Sequence, residues 1–222
     1  MQPGTLAYDL AHLIGAVGLL AGLWLLMQTR LLGMIRVYGV QAIALGMAAS
    51  WAGWVTGDPH LYLSAALAFG VKAVAIPFGL IWLVRKLKLE ETAEPALSMG
   101  VTMVAGVGLV ALAILVVRPL EGVAVGLTRE QLGTALSMLL LGLLVMITRR
   151  NAISQVIGFM ALENGVAFAA VGAAGMPMVV EMGVAVLVLI AFLLFSMFFF
   201  RIRERFDTLD LGALETWRGE RQ

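Results

Sequence analysis

The stretch RRNAISQVIGFMALENGVAFAA, residues 149–170, decides how this chain is read. Two arginines open it, and about three helical turns of mostly apolar sequence follow. Glu163 then stands beside Asn164 and Gly165, with apolar residues resuming behind it. No lysine or arginine lies within one turn of that glutamate on its own helix. A carboxylate in such a setting needs a physical reason.

The rest of the chain makes the setting a bilayer. Of 222 residues, 61% are hydrophobic and 13% charged, where a soluble domain carries roughly 25% charged residues. Mean hydropathy is +0.98. Several runs reach the roughly 20 apolar residues that a membrane helix needs. They do not alternate as barrel strands would. The expected fold is all-α: a polytopic membrane protein of seven transmembrane helices, at 7–28, 37–56, 61–84, 97–117, 130–148, 152–174 and 178–200. Gly57-Asp58-Pro59, the charged loop from Glu90 to Pro95, Arg118-Pro119 and Gly175-Met176-Pro177 supply breaks.

Orientation follows from the basic residues. Arg30, Arg36, Arg85, Lys86, Lys88, Arg149, Arg150, Arg201, Arg203 and Arg205 fall on one side of this topology; Arg118 and Arg129 fall on the other. The positive-inside rule then expects the N-terminus outside and the C-terminus cytoplasmic. No lysine or arginine precedes Arg30, so the first run reads as a retained helix and not a secretory signal. Three regions are expected: four helices in 1–129, three in 130–200, and a cytoplasmic tail at 201–222. The tail mixes charge with Phe206, Leu209, Leu211, Leu214 and Trp217, and either lies on the membrane, docks on a soluble partner or frays.

Composition excludes several functions. With no cysteine and only His12 and His60, cysteine-ligated iron–sulfur clusters and disulfides are ruled out, and a bis-histidine haem is not expected. No cofactor, metal or nucleic acid is anticipated; net charge is +1. A retinal protein would need a lysine on the last helix, and 178–200 has none. No nucleophile–base pair suggests covalent chemistry.

Three charged residues fall inside spans away from their first turn, and a charge at the bilayer centre costs roughly 2.5–3.5 kcal/mol on insertion scales. Glu163 lies twelve residues from Asn151, about 18 Å into its helix. Lys72 lies twelve residues from Val84 and reaches the same depth from the same side. The two are expected to share a polar pathway, as a pair in one version; pairing of Lys72 with another subunit is the alternative. Pro77 is expected to kink the helix carrying Lys72. Glu181, about 9 Å into the seventh span, reads as a second proton station or an interfacial carboxylate. Proton handling is expected of Glu163, with structural hydrogen bonding as the plain alternative. Asn164 and Gln155 are accessory polar candidates. Asp9 and His12 read as rim residues; Gln41, Gln155 and Ser154 read as shallow groups on the inner side that hold water or, by default, pack helices. Gly158, Ala161, Gly165, Ala169 and Gly172 form a close-packing stripe.

Arg149-Arg150-Asn151, Gln155, Gly158 and Glu163-Asn164-Gly165 resemble the sixth helix of hydrogenase-4 component E. That family belongs to the membrane arm of formate hydrogenlyase and related group 4 nickel–iron hydrogenases, and the likeness in length and span count covers the whole chain. Residues from about 130 onward are also similar to subunit K of NADH–quinone oxidoreductase and to its small counterpart in Mrp sodium/proton antiporters. Aligned on Ile157-Gly158 and Asn164, the first subunit K glutamate falls at Met160, one turn before Glu163. Glu181 matches the second in helix order. The resemblance implies a non-catalytic, cofactor-free subunit in a bacterial or archaeal cytoplasmic membrane. Its implied partners are antiporter-like and quinone- or anchor-type subunits, with a peripheral redox arm near the tail. Glu163, Glu181 and Lys72 would carry protons. A purely structural linker and a free-standing seven-helix transporter are the competing expectations.

Overall fold

The structure is a computed structural model that describes residues 6–86, 93, 96–120, 129–172 and 197. Among these, six helices are long and apolar enough to cross a membrane. They are α1 (Leu6–Met27), α2 (Leu31–Thr56), α3 (His60–Lys86), α4 (Met99–Val117), α5 (Arg129–Thr148) and α6 (Ala152–Gly172). The chain is thus an all-helical membrane protein. Apart from Met197, the expected seventh span, with Glu181, and the tail 201–222 lie outside the described residues.

The ends of these helices have local causes. Gly57 closes α2 in the left-handed conformation, φ 72°, and its N–H donates to Gly53 O at 2.9 Å. The Asp58 carboxylate then accepts from the His60 amide at 2.9 Å and starts α3. Ser98 caps α4 through the Val101 amide. Asn151 caps α6 by accepting from the Ile153 amide at 2.9 Å.

One boundary of the six described spans differs from the sequence reading by more than two residues. Helix α2 begins at Leu31, not at 37, after a connection of only Gln28 to Arg30. Leu31, Met34, Ile35 and Tyr38 are all buried, the spacing of a helical stripe, while Arg36 points outward. Arg36 therefore rides on the first turns of the helix and not in a loop.

Helices α5 and α6 form the closest pair. A Cβ added to Gly142 would overlap the Leu162 amide nitrogen; at Gly158 it would stand 2.7 Å from that of Met146, and at Gly165 2.5 Å from that of Leu139. Only backbone without side chain fits there. Helix α2 packs on α1, α3 and α6, so it joins the two halves of the described bundle.

Helix α3 is not regular. Ala68–Ala75 is a π-helical segment inside it, and the Ile76 amide donates to Val71 O, five residues back. Pro77 follows immediately and has no N–H to offer. The expected proline kink thus takes the form of a widened turn in a continuous helix. Helix α2 receives it at two glycines: a Cβ at Gly46 would stand 2.8 Å from the Phe69 ring, and Gly39 faces Pro77 and the Ala73 carbonyl.

A buried ion pair and its polar surroundings

Lys72 sits inside the π segment and is 6% exposed. Glu163 on α6 is 7% exposed. The Lys72 Nζ donates to Glu163 Oε2 at 2.5 Å, joining residues 91 apart in sequence. Extra π turns inside α-helices are frequent at functional sites. Here the widened turn carries the lysine that meets the glutamate.

The pairing answers the question that Glu163 raises. Two charges in a low-dielectric interior are tolerable when they neutralise one another. Each is then costly to lose singly: breaking a buried pair from one side costs about 3–5 kcal/mol. Helix α2 packs on both partner helices and supplies the neighbouring polar groups. Asn164, fully buried, donates through Nδ2 to Gln41 Oε1 at a long 3.4 Å. Tyr38 lies one turn before Gln41 on α2 and is fully buried.

Gln155 is not part of this group. Its Nε2 donates to the Arg149 carbonyl at 2.9 Å, about two turns nearer the helix start. Glu181 lies outside the described residues.

Arg149 has a role that its sequence position conceals. It is 2% exposed. Nη1 donates to Ala93 O at 2.5 Å and Nη2 to Leu26 O at 2.7 Å. Leu26 is in the last turn of α1, where carbonyls lack helical partners and a cation is favoured. Ala93 in turn donates to Thr29 O at 2.7 Å, and Ala96 donates to Thr148 O at 2.7 Å. The guanidinium therefore ties α1, α5 and the α3–α4 connection together at the end of the bundle that carries Arg30, Arg85 and Arg150. Burial lowers its pKa from the usual arginine value, which is so high that the group keeps its charge.

The opposite end holds a second polar cluster. His12 Nε2 on α1 lies 3.1 Å from Glu130 Oε2 on α5 without hydrogen-bond alignment, and the Tyr8 hydroxyl also meets that carboxylate. His12 is thus a contact between helices, not merely a rim residue. A small cavity of about 50 Å³ lies below, lined in part by His12, Trp51, Thr134 and Phe168. Among the described residues, no group of three or more His, Cys, Asp or Glu could hold a metal ion.

No family model matches the chain, and no solved structure matches it. The chain is 30% identical over 164 residues to hydrogenase-4 component E of Escherichia coli (strain K12), covering 72% of this chain and 74% of that protein. The Shigella flexneri protein of the same description matches equally. An uncharacterized protein of Mycobacterium tuberculosis, Rv0085, is 27% identical over 201 residues, 90% of this chain and 91% of that one.

Proposed function

Because the chain belongs to the hydrogenase-4 component E family, we propose that it is a non-redox membrane subunit whose Lys72–Glu163 pair takes part in proton translocation. The parent assembly would be a group 4 nickel–iron hydrogenase, a formate hydrogenlyase or a related complex I-like enzyme. The single observation that carries the reading is the buried pair, 2.5 Å between Nζ and Oε2. A proton arriving on Glu163 cancels its attraction for Lys72 and frees the ammonium. Displacement of the ammonium by charge movement elsewhere does the reverse and favours proton uptake. The pair therefore couples proton occupancy to charge position without a cofactor.

On this reading redox chemistry in other subunits supplies the driving force. The partners are antiporter-like and quinone- or anchor-type membrane subunits, with a peripheral redox arm reached by the tail 201–222. Residues 130–200 act as a unit like subunit K, and Glu181 is a second station on the seventh span. The N-terminus lies outside and the C-terminus in the cytoplasm of a bacterial or archaeal cell.

A second reading has one observation in its favour. The pair joins α3 to α6 across α2, so it also suits a purely structural linker. The double replacement Lys72→Met with Glu163→Leu separates the two. Exchanging a buried ion pair for apolar residues of similar volume is often neutral or stabilising. The complex is expected to assemble and transfer electrons, with proton translocation lost. Retained translocation in an assembled double variant would establish the linker reading instead. Identifying every protein that co-purifies in mild detergent tests the parent assembly: a nickel–iron large subunit is expected, and a chain that purifies alone and transports ions would contradict it.

A further inference from the structure

Four buried side-chain atoms on α2 and α6 have no hydrogen-bond partner among the described residues: Tyr38 Oη, Gln41 Nε2, Ser154 Oγ and Asn164 Oδ1. Gln41 is 1% exposed and the other three are 0% exposed. Buried polar groups in proteins are otherwise almost always paired. Gln41 and Asn164 already use Oε1 and Nδ2 on each other, which leaves one donor and one acceptor facing elsewhere.

Their positions form a series. Counted from the ends of α2 and α6 that lie beside Arg149, Ser154 is about 3 Å in, Tyr38 about 10 Å, Gln41 about 15 Å and Glu163 about 16 Å. Among the described residues, no comparable series leads the other way. In the opposite half His12 Nε2 is also without a hydrogen-bond partner, but three hydroxyls there bond to their own helices: Ser50 to Gly46 O at 2.9 Å, Thr134 to Glu130 O at 2.9 Å and Ser137 to Gly133 O at 2.7 Å. Ser154 Oγ makes no such bond.

Phe168 stands on that opposite side, five residues beyond Glu163, and is 8% exposed. Its ring lies against Gly15 and Gly18 of α1, where an added Cβ would be 3.8 and 3.5 Å from ring atoms. The cavity below His12 reaches this ring. On α6, Phe168 is the cavity-lining residue nearest in sequence to Glu163, and neither Glu163 nor Lys72 lines that cavity.

We propose that Glu163 communicates by water with one end of the bundle only, the end carrying Arg149. Water molecules held at Asn164, Gln41, Tyr38 and Ser154 form the route, and Phe168 closes the other side. Water fits because these groups require a partner that both donates and accepts. The inference rests on the proton-handling reading of Lys72 and Glu163 and adds its sidedness.

The chain contains no cysteine, so single cysteines report cleanly. Gln41→Cys, Ser154→Cys and Phe168→Cys are placed one at a time in the assembled complex in sealed vesicles of each orientation. Silver ion is the probe, a small cation that reacts with thiols. Ser98→Cys and Thr56→Cys, both exposed and at opposite ends, identify the sides. The expected result is reaction at 41 and 154 from the Ser98 side and protection from the Thr56 side, with the opposite pattern at 168. Reaction at 41 from the Thr56 side, or from neither side while the controls react, overturns the proposal. Ser154→Cys changes one atom of a small side chain, so it carries the test should position 41 or 168 not assemble. The two readings fail separately. Coupling that collapses on removal of Glu163, with position 41 inert, keeps the proton role and removes the route. Coupling that survives removal of Glu163 removes the role whatever the labelling shows.

Discussion

Arg149 closes the end of α1 by donating from Nη2 to Leu26 O at 2.7 Å, while Nη1 holds Ala93 O at 2.5 Å. A residue that would ordinarily mark a solvated loop is here a buried clasp. Hydrogen bonds from a charged group are worth about 1.5–3 kcal/mol each, and two are made at once.

Arg149→Leu is therefore expected to lower stability by about 3–5 kcal/mol. Arg149→Lys should recover only part of this, because an ammonium cannot span both carbonyls as the planar fork does. Arg150, next in sequence but exposed, provides the contrast: Arg150→Ala should change stability by no more than about 0.5 kcal/mol. Thermal unfolding of the purified complex, read as retention of this chain, checks all three. Equal effects of Arg149→Leu and Arg150→Ala would contradict the clasp.

Gly158 and Gly165 give a second expectation. A methyl at either would meet α5 backbone at 2.7 or 2.5 Å, and backbone cannot move aside cheaply. Gly158→Ala and Gly165→Ala should each destabilise by about 1–3 kcal/mol, the usual range for overpacking. Gly108→Ala on α4 meets nothing within 4 Å. It should be neutral or stabilising by up to about 1 kcal/mol through helix propensity. The yield of folded protein and its thermal midpoint distinguish these outcomes.

These residues also show what is legible in the sequence. The six described spans follow from hydropathy, and the glycine stripe of α6 follows from its spacing. The depth of Lys72 and Glu163 can be counted along straight helices, and the two counts agree. Counting does not reveal azimuth, so the meeting of the two needs the bundle itself. The π segment is hidden because an i→i+5 turn has no residue preference of its own; Pro77 signals a disturbance, not its form. The flanks of Arg149 suggest a loop residue, whereas its partners are carbonyls 56 and 123 residues away. Tyr38 and Gln41 resemble ordinary packing because nothing local distinguishes a satisfied polar atom from an orphaned one. Glu181 remains an expectation from sequence alone.

Tyr38→Phe removes one orphaned hydroxyl and nothing else from the core. If that hydroxyl holds water, its loss should cost about 1 kcal/mol and slow proton transfer while electron transfer in the complex continues. A variant that is more stable and fully coupled would show that the hydroxyl is merely buried without a partner. Parallel assays of thermal stability and of coupling decide it.

Lys72→Met leaves Glu163 buried without its counter-charge. The carboxyl should then bind a proton, since neutralisation costs less than an isolated buried charge. Infrared difference spectra of Lys72→Met against the native complex should show a new protonated-carboxyl band that disappears in Lys72→Met with Glu163→Gln. An unchanged carboxyl region would mean that another cation faces Glu163.

The most direct test of a proton role for the buried pair is the number of protons moved per electron by the assembled complex carrying Glu163→Gln, measured in sealed vesicles beside the native complex. Glutamine keeps the size and hydrogen bonding of the side chain but cannot carry the proton. Intact assembly and continued electron transfer are expected, with proton translocation reduced by about a hundredfold or more, the scale of losing a positioned acid–base group. An unchanged proton-to-electron ratio in a fully assembled Glu163→Gln complex would contradict that role.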